Sequence, residues 1–509
     1  MNKINGFEIF SNDDGWILHE SNPPLSLDHL YSKMVATYKD TGLTTFLWSV
    51  GGHEVYDYET KIGERIGEGH VNLDESTKKR VANLQSLIDS CGGPITGLSK
   101  LCHEVGIKFY PSLRMNEHYD IDINSPTYGR FRRERPDLLI GKPGEKFEIG
   151  TVEHGIRTGL NFAFDEARDH MLSIISELVE DFDVDGIELD WFRHPAFFRV
   201  DEAYENRHLV TDLVKNVKQK INDVIESSGR NIKLAVRVPD TIQDSIRIGL
   251  DVEQWIKNEY VDIVIVGGGM VPYATPINDF VDAAKNTGIK VLGSLEHLRP
   301  ATTPETVTAI IDRHISKGAH GIYFFNYFHK SNSWKKSIYR TIYDGEYRLN
   351  KRKTIEFDSN VRFTLSEQHE APFRYAIPDV QIPITLEPDK ENTLSMLNFP
   401  IDIDSNLPEY EWELKLGFIN YQGEDELEIF INQIAVDISD MNINFDGWGR
   451  LEWTDFKNRL QWIKYPFAQI IIKNNGYLSK GNNILELRLI KETVFKTDKV
   501  VLKEVKLEL

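Results

Sequence analysis

A chain of 509 residues is longer than one hydrophobic core usually spans, and its 27% charged and 40% hydrophobic content is that of an ordinary globular protein. The net charge of −20 argues against a nucleic-acid or anionic-membrane surface, because such partners require concentrated Lys and Arg. Only Cys91 and Cys102 are present, which excludes a disulfide framework and reads as two buried thiols.

The opening Met1-Asn2-Lys3-Ile4-Asn5-Gly6 carries no apolar run of signal-peptide length, and no later segment approaches a membrane span. A cytoplasmic location is expected for the chain as written, and a periplasmic or secreted one if a leader had been removed. From residue 1 to 345, short β-rich runs alternate with helical patterns, as in βα repeats around a parallel sheet. The first strand is expected at Phe7–Phe10, followed by the polar turn Asn12-Asp13-Asp14-Gly15. Ser26 then caps a helix beginning at Leu27. The second strand, Thr44–Val50, ends in Gly51-Gly52-His53. A helical pattern from Glu75 to Val105 breaks at Cys91-Gly92-Gly93-Pro94. The third strand, Ile107–Arg114, runs into Met115-Asn116-Glu117-His118. A long polar excursion follows, over about residues 117–160. Its Arg130, Arg132, Arg133 and Arg135 read as a solvated helix face, with an anion site as the alternative.

A helix from Asp165 to about Glu180 leads into the fourth strand, Gly186-Ile187-Glu188-Leu189-Asp190. A helix over Leu209–Ile225 precedes the fifth strand, Ile232–Pro239, which ends at Asp240. The sixth, Val261–Val266, is closed by Gly267-Gly268-Gly269, glycines that permit close backbone approach but are weak as a nucleotide motif. The seventh is Ile289–Glu296 and the eighth Gly321–Phe328. Eight strands with intervening helices is the count of a (β/α)8, or TIM, barrel. From about Tyr347, alternating runs such as Glu426–Ile431 and Ile484–Leu489 replace helical periodicity. They predict a jelly-roll-like antiparallel β-sandwich over residues 346–509, following a barrel over 1–345. Its Trp412, Trp448, Trp453 and Trp462 suit core packing better than sugar-stacking platforms.

In a TIM barrel the active site lies at the C-terminal ends of the strands. Side chains alternate along a strand, so Glu188 and Asp190 share one face. Two carboxylates on one face of a buried strand need partners or a wet cleft, and an ion pair capping the strand is the structural alternative. The strand ends offer carboxylates, amides, aromatics and a few cations, with no Ser-His-Asp elbow, phosphate loop or cysteine nucleophile. That inventory suits glycosidic bond cleavage, in which one acid protonates the leaving oxygen and a second carboxylate attacks carbon or activates water. The best pair is Asp190 and Glu296, from strands across the mouth. Asp190 is expected as nucleophile or base, kept ionised by Arg193 or Arg237, and Glu296 as the acid in apolar surroundings. Asp240 is the rival acid. Glu188, one pleat deeper, is placed to orient Asp190 or share a proton with it. Substrate contacts are expected from Asp13, Trp48, Arg114, Asn116, His118, Glu188, Arg193, His194, Arg237, Asp240 and Asn326. His118, His194 and His297 lack a ligand spacing, so neither metal nor cofactor is expected. The expected partner is an oligosaccharide or polysaccharide, and the arginines around the mouth suggest an anionic one.

The segment Phe164-Asp165-Glu166-Ala167-Arg168-Asp169-His170, a helix, and then Asp185-Gly186-Ile187-Glu188-Leu189-Asp190-Trp191-Phe192-Arg193-His194-Pro195 resembles the family-10-like glycosyl hydrolases. There an Asp-Gly-Ile-x-Leu-Asp-x-x-Arg-x-Pro segment forms the fourth strand of a (β/α)8 barrel. Asn12-Asp13-Asp14 and Arg114-Met115-Asn116 match further segments of those proteins. The resemblance covers most of residues 1–345 and implies a carbohydrate-active barrel without fixing its substrate. The same strand is also similar to the chitinase Asp-Gly-x-Asp-x-Asp-x-Glu, with Glu188 and Asp190 at the two later Asp positions. Phe192 stands where the chitinase acid would be and cannot protonate a leaving group. A non-catalytic carbohydrate-binding barrel is therefore the alternative to a glycoside hydrolase.

Overall fold

A computed structural model describes residues 6–52, 54–118, 122–149, 151–267, 273–296, 303–357, 375–376, 381–388, 394–402, 412–445, 449–453, 460–464, 467–473, 476–493 and 499–509. Eight strands form a closed parallel barrel: β1 Glu8–Asp13, β2 Thr45–Ser49, β3 Lys108–Arg114, β4 Gly186–Asp190, β5 Lys233–Val238, β6 Ile263–Val266, β7 Lys290–Glu296 and β8 Gly321–Phe325. Each pairs with its sequence neighbour, and β8 returns to β1 with Asn12 opposite Phe325.

The period of two sorts the strands into faces. Phe10, Leu47, Tyr110, Ala235, Ile263, Ile265, Leu292, Tyr323 and Phe325 point inward and pack the lumen. Ile9, Phe46, Phe109, Ile187, Leu189, Val236, Val264 and Ile322 alternate with them and join the layer under the helices. Both faces are buried, which is why β6 reads as the unbroken apolar run Ile263-Val264-Ile265-Val266. Toward the C-terminal ends the inward positions turn polar: Asn12, Ser112, Glu188, Arg237 and Ser294, all buried.

Local signals set most helix ends. Ser26 accepts the backbone N–H of His29 to start Leu27–Leu30, and Asp74 does the same from Thr77 for Glu75–Cys91. Gly92, at φ 78°, ends that helix, and Pro94 opens the next one, Pro94–Glu104. The helix expected at 209–225 runs longer, Ala203–Ser228, stopped by Gly229 at φ 72°. Two strand ends differ from expectation. β1 continues through Asp13 because Asp13 is paired opposite Trp48. β8 stops at Phe325 because Asn326 takes a left-handed conformation (φ 60°, ψ 29°) and starts the short turn Tyr327–His329.

The arginines of the 117–160 excursion divide: Arg130 and Arg135 face solvent as expected, whereas Arg132 and Arg133 turn inward to carboxylates. Arg132 is buried against Glu54 at 3.3 Å, Arg133 reaches Glu64 at 3.1 Å and Arg135 reaches Asp137 at 2.7 Å, while Arg130 is exposed.

The C-terminal region is antiparallel. Strands β9 Thr354–Phe357, β10 Ser395–Ile401, β11 Glu413–Ile419, β12 Glu426–Ile431, β13 Met441–Asn444, β14 Phe467–Ile472, β15 Gly481–Lys491 and β16 Val501–Glu508 make two sheets. Their orders are β9-β16-β11-β14-β13 and β10-β15-β12. Leu414, Leu416 and Phe418 of the first sheet and Leu485, Leu487 and Leu489 of the second are buried in one hydrophobic core. Trp412 is buried in it too, as expected; Trp448 and the side chains of Trp453 and Trp462 lie outside the described residues. The same core runs on into the barrel, where Tyr273 meets Phe357 edge to face at 5.8 Å and buried Asp312 receives Arg348 at 2.7 Å. Among the described residues, no helix is long and apolar enough to cross a membrane.

Candidate active site

The polar end of the lumen is arranged around Arg237, which β5 projects inward and which is 1% exposed. One guanidinium nitrogen donates to Asp190 Oδ2 at 3.2 Å, and the other lies 3.7 Å from Glu296 Oε2. The flat face of the guanidinium covers the Phe325 ring at 4.1 Å, with the Phe192 and Tyr323 rings at 5.7 and 5.6 Å. The second oxygen of Asp190 accepts the backbone N–H groups of Phe192 and Arg193, each at 3.0 Å. Asp190 thus receives three donors, a setting that a carboxylate anion satisfies.

Glu188 lies one pleat deeper on the same face and is fully buried. Its Oε2 accepts from Asn12 Nδ2 at 3.1 Å, a bond that crosses the lumen from β1. Burial, with the nearby Asp190 charge adding to it, pushes the Glu188 carboxyl up to about 7, against the pull of Ser112, Arg237 and Tyr323.

A second cluster forms the rim. Arg114 donates to Asp14 at 2.7 Å, and the Asn326 side-chain amide donates to the other Asp14 oxygen at 2.9 Å. Burial alone would raise the Asp14 carboxyl, yet Arg114 and Arg193 hold it below the ordinary carboxylate range. The mouth therefore brings together Arg114, Glu188, Asp190, Arg193, Arg237, Glu296 and Asn326 of the expected residues.

Others fall elsewhere. With β1 running to Asp13, Asn12 faces the lumen and Asp13 faces the helix layer. There Asp13 accepts the Gly15 N–H at 2.9 Å, and burial pushes its carboxyl up to about 7. Trp48 also points outward, 1% exposed, so it is core rather than a wall of the mouth. Asn116 is consumed by the backbone: its amide donates to the carbonyls of Leu160 and Ala196, and its oxygen accepts from Glu117 and Leu160. It pins the loop after β3 and has no polar capacity left for a substrate. His118 and His194 are buried with their rings edge to face at 5.4 Å, and His194 Nδ1 accepts the His118 backbone N–H at 3.3 Å. Asp240 is enclosed: it accepts from Thr275 at 2.9 Å, and a Cβ on Gly267 would lie 2.6 Å from its oxygen. Glu296, expected among apolar groups, has the Arg237 guanidinium beside it instead.

Ser112, Ser294, Tyr323 and Phe325 were not among the expected residues, though counting back by two from Arg114 and Glu296 would have reached the two serines. His53 and His297 lie outside the described residues. Among the described residues, no group of three or more His, Cys, Asp and Glu side chains is gathered as a metal site.

No protein-family model and no curated protein matches this sequence. Among solved structures the chain is similar to the endo-β-1,4-mannanase from Thermotoga petrophila, at 12% identity and a TM-score of 0.44, covering 97% of each chain. It is also similar to a GH36 α-galactosidase from Geobacillus stearothermophilus, at 12% identity and a TM-score of 0.41. That match covers 95% of this chain and only 56% of the galactosidase, so this chain spans little more than half of its length. A third similar structure is the α-amylase from Geobacillus thermoleovorans, at 10% identity and a TM-score of 0.39, covering 96% of this chain and 99% of that one.

Proposed function

We propose that this protein is a glycoside hydrolase acting on oligo- or polysaccharides, with Asp190 and Glu296 as its two carboxylates. The observation that carries this reading is the convergence of two carboxylates, from strands on different sides of the lumen, on opposite nitrogens of one buried guanidinium. In the reaction Asp190, already a good acceptor, attacks the anomeric carbon or takes a proton from water, and its charge stabilises the oxocarbenium-like transition state. Glu296, once the sugar has parted it from Arg237 and the desolvated carboxylate has taken up a proton, gives that proton to the leaving oxygen. Arg237 holds Asp190 more closely than Glu296, 3.2 against 3.7 Å, so an entering sugar displaces the looser contact first. The expectation of an anionic sugar loses support, because Asp14 and Asp190 already engage Arg114 and Arg237. Neutral sugars fit better.

Asp190→Asn should lower kcat at least about 10³-fold on any true substrate, measured per folded molecule because the change also unbalances the buried pair with Arg237. Glu296→Gln should do the same on natural linkages. It should spare dinitrophenyl glycosides, whose leaving group needs no proton. Full turnover by Asp190→Asn would end the assignment. Phe192, packed near Arg237 where a chitinase would carry its acid, favours the second reading, a carbohydrate-binding barrel. Oligosaccharide binding by calorimetry, with no release of reducing ends across a broad glycan panel, would select it.

A further inference from the structure

Beneath the proposed carboxylate pair, the floor of the lumen leaves a specific pair of atoms unsatisfied. Asn12 Oδ1 and Glu188 Oε1 are both buried without a hydrogen-bond partner, although the other halves of the same two groups are joined at 3.1 Å. An amide oxygen and a carboxylate oxygen are both acceptors, so neither can satisfy the other; the Ser112 and Tyr323 hydroxyls draw on the Glu188 carboxyl, whereas the Asn12 oxygen is left to bear the cost of burial. A single proton on Glu188 supplies that oxygen with a donor. A neutral acid would add a second bond to the one already present, acid O–H to amide C=O beside amide N–H to acid C=O.

The charges around Glu188 point the same way. Asp190 faces it from its own strand, Arg237 from β5, the Tyr323 hydroxyl from β8, and the neutral Ser112 and Asn12 from β3 and β1. Glu296 shares the same guanidinium. Three carboxyl groups thus compete for one cation, in a setting where an unmatched buried charge is expensive. We propose that Glu188 is a positioning residue kept as a neutral acid by a cyclic acid–amide pair with Asn12, which reserves Arg237 for Asp190 and Glu296. The shift of this carboxyl up to about 7 accords with that role. When Glu188 ionises, it draws the guanidinium inward and loosens its hold on Asp190. The catalytic consequence rests on the two-carboxylate reading, whereas the proton itself does not.

Infrared spectra of the full chain, recorded through a pH titration, test the proton directly. The wild type should show a protonated-carboxyl band that is lost as pH rises through about 7 and that is missing in Glu188→Gln. A band from Asp13, raised to a similar value, should remain in both and serve as the internal comparison. In Asn12→Leu, the Glu188 band should move to higher frequency because its carbonyl has lost a hydrogen bond. In activity, the wild-type kcat should show a basic limb near 7 that Glu188→Gln lacks, which a merely structural side chain would not produce. Identical titrations in wild type and Glu188→Gln would overturn the proposal. So would a Glu188 band indifferent to Asn12→Leu, a measurement that stands even if the glutamine variant fails to fold. The infrared result holds or falls whatever becomes of Asp190→Asn.

Discussion

Asp190 and Glu188 sit on one face of one strand, yet two backbone N–H groups and Arg237 reach the first, while the second lies deeper, accepts from Asn12 at 3.1 Å and is dominated by its burial. The difference has a stability signature. The Glu188 carboxyl lies at about 7 in the fold against an ordinary 4.5, so the folded state binds its proton more tightly than the unfolded chain does. That contribution is fully present below about 4.5 and is lost as pH rises through about 7. Glu188→Gln should therefore be more stable than wild type at about pH 8, by at most about 3 kcal/mol in urea denaturation, with the advantage vanishing near pH 5. A variant less stable than wild type at the higher pH would mean that the group is buried as a satisfied anion. Asn116 offers a contrasting case, since all its bonds are structural. Asn116→Ala should cost about 2–4 kcal/mol in urea denaturation, because it orphans buried backbone groups of Leu160 and Ala196.

Among the secondary-structure elements, β4 carries the chemistry and its neighbours leave it little room. A Cβ at Gly186 would come within 2.4 Å of the Tyr110 ring and 2.6 Å of the Lys233 carbonyl oxygen. The carbonyl belongs to the β4–β5 ladder and cannot retreat without parting the strands. Gly186→Ala should cost more than about 2 kcal/mol and lower activity as well, by displacing Glu188 and Asp190. Gly288→Ala, where nothing lies within 4 Å, is the matched control and should stay within about 0.5 kcal/mol in thermal melts followed by circular dichroism. The strand centres were legible because apolar β-rich runs bounded by helices leave few alternatives. The strand ends were not: whether β1 stops at Phe10 or Asp13 depends on pairing with β2 and β8, which no local signal reports.

For the molecule as a whole, barrel and sandwich are joined by a continuous core and by a buried charge cluster. Asp312, on a barrel helix, faces Arg348 at 2.7 Å and Lys353 at 4.0 Å, both just before the first sandwich strand. Asp312→Ala removes the carboxylate that these buried cations face and should cost about 3–5 kcal/mol. The loss should appear as a lower urea midpoint for the barrel and sandwich signals together. Separate transitions with only one of them moved would show that the junction does not couple the two.

Sequence by itself was enough for the barrel count, the helix cap at Ser26, the break at Gly92 and Pro94, and the alternating texture of the C-terminal sheets. All of these follow from periodicity and backbone preference within a few residues. The tertiary structure alone decided which strand-end residues meet. Pairing fixes which alternate residues face the lumen: Asn12 lies opposite inward Leu47 and joins the mouth, while Asp13 lies opposite Trp48 and both face the helix layer. The charge partners were equally out of reach, because Arg237 finds Asp190 across 47 positions and Arg132 finds Glu54 across 78. Such pairs form only when closing the barrel removes the water that would otherwise have solvated each charge alone.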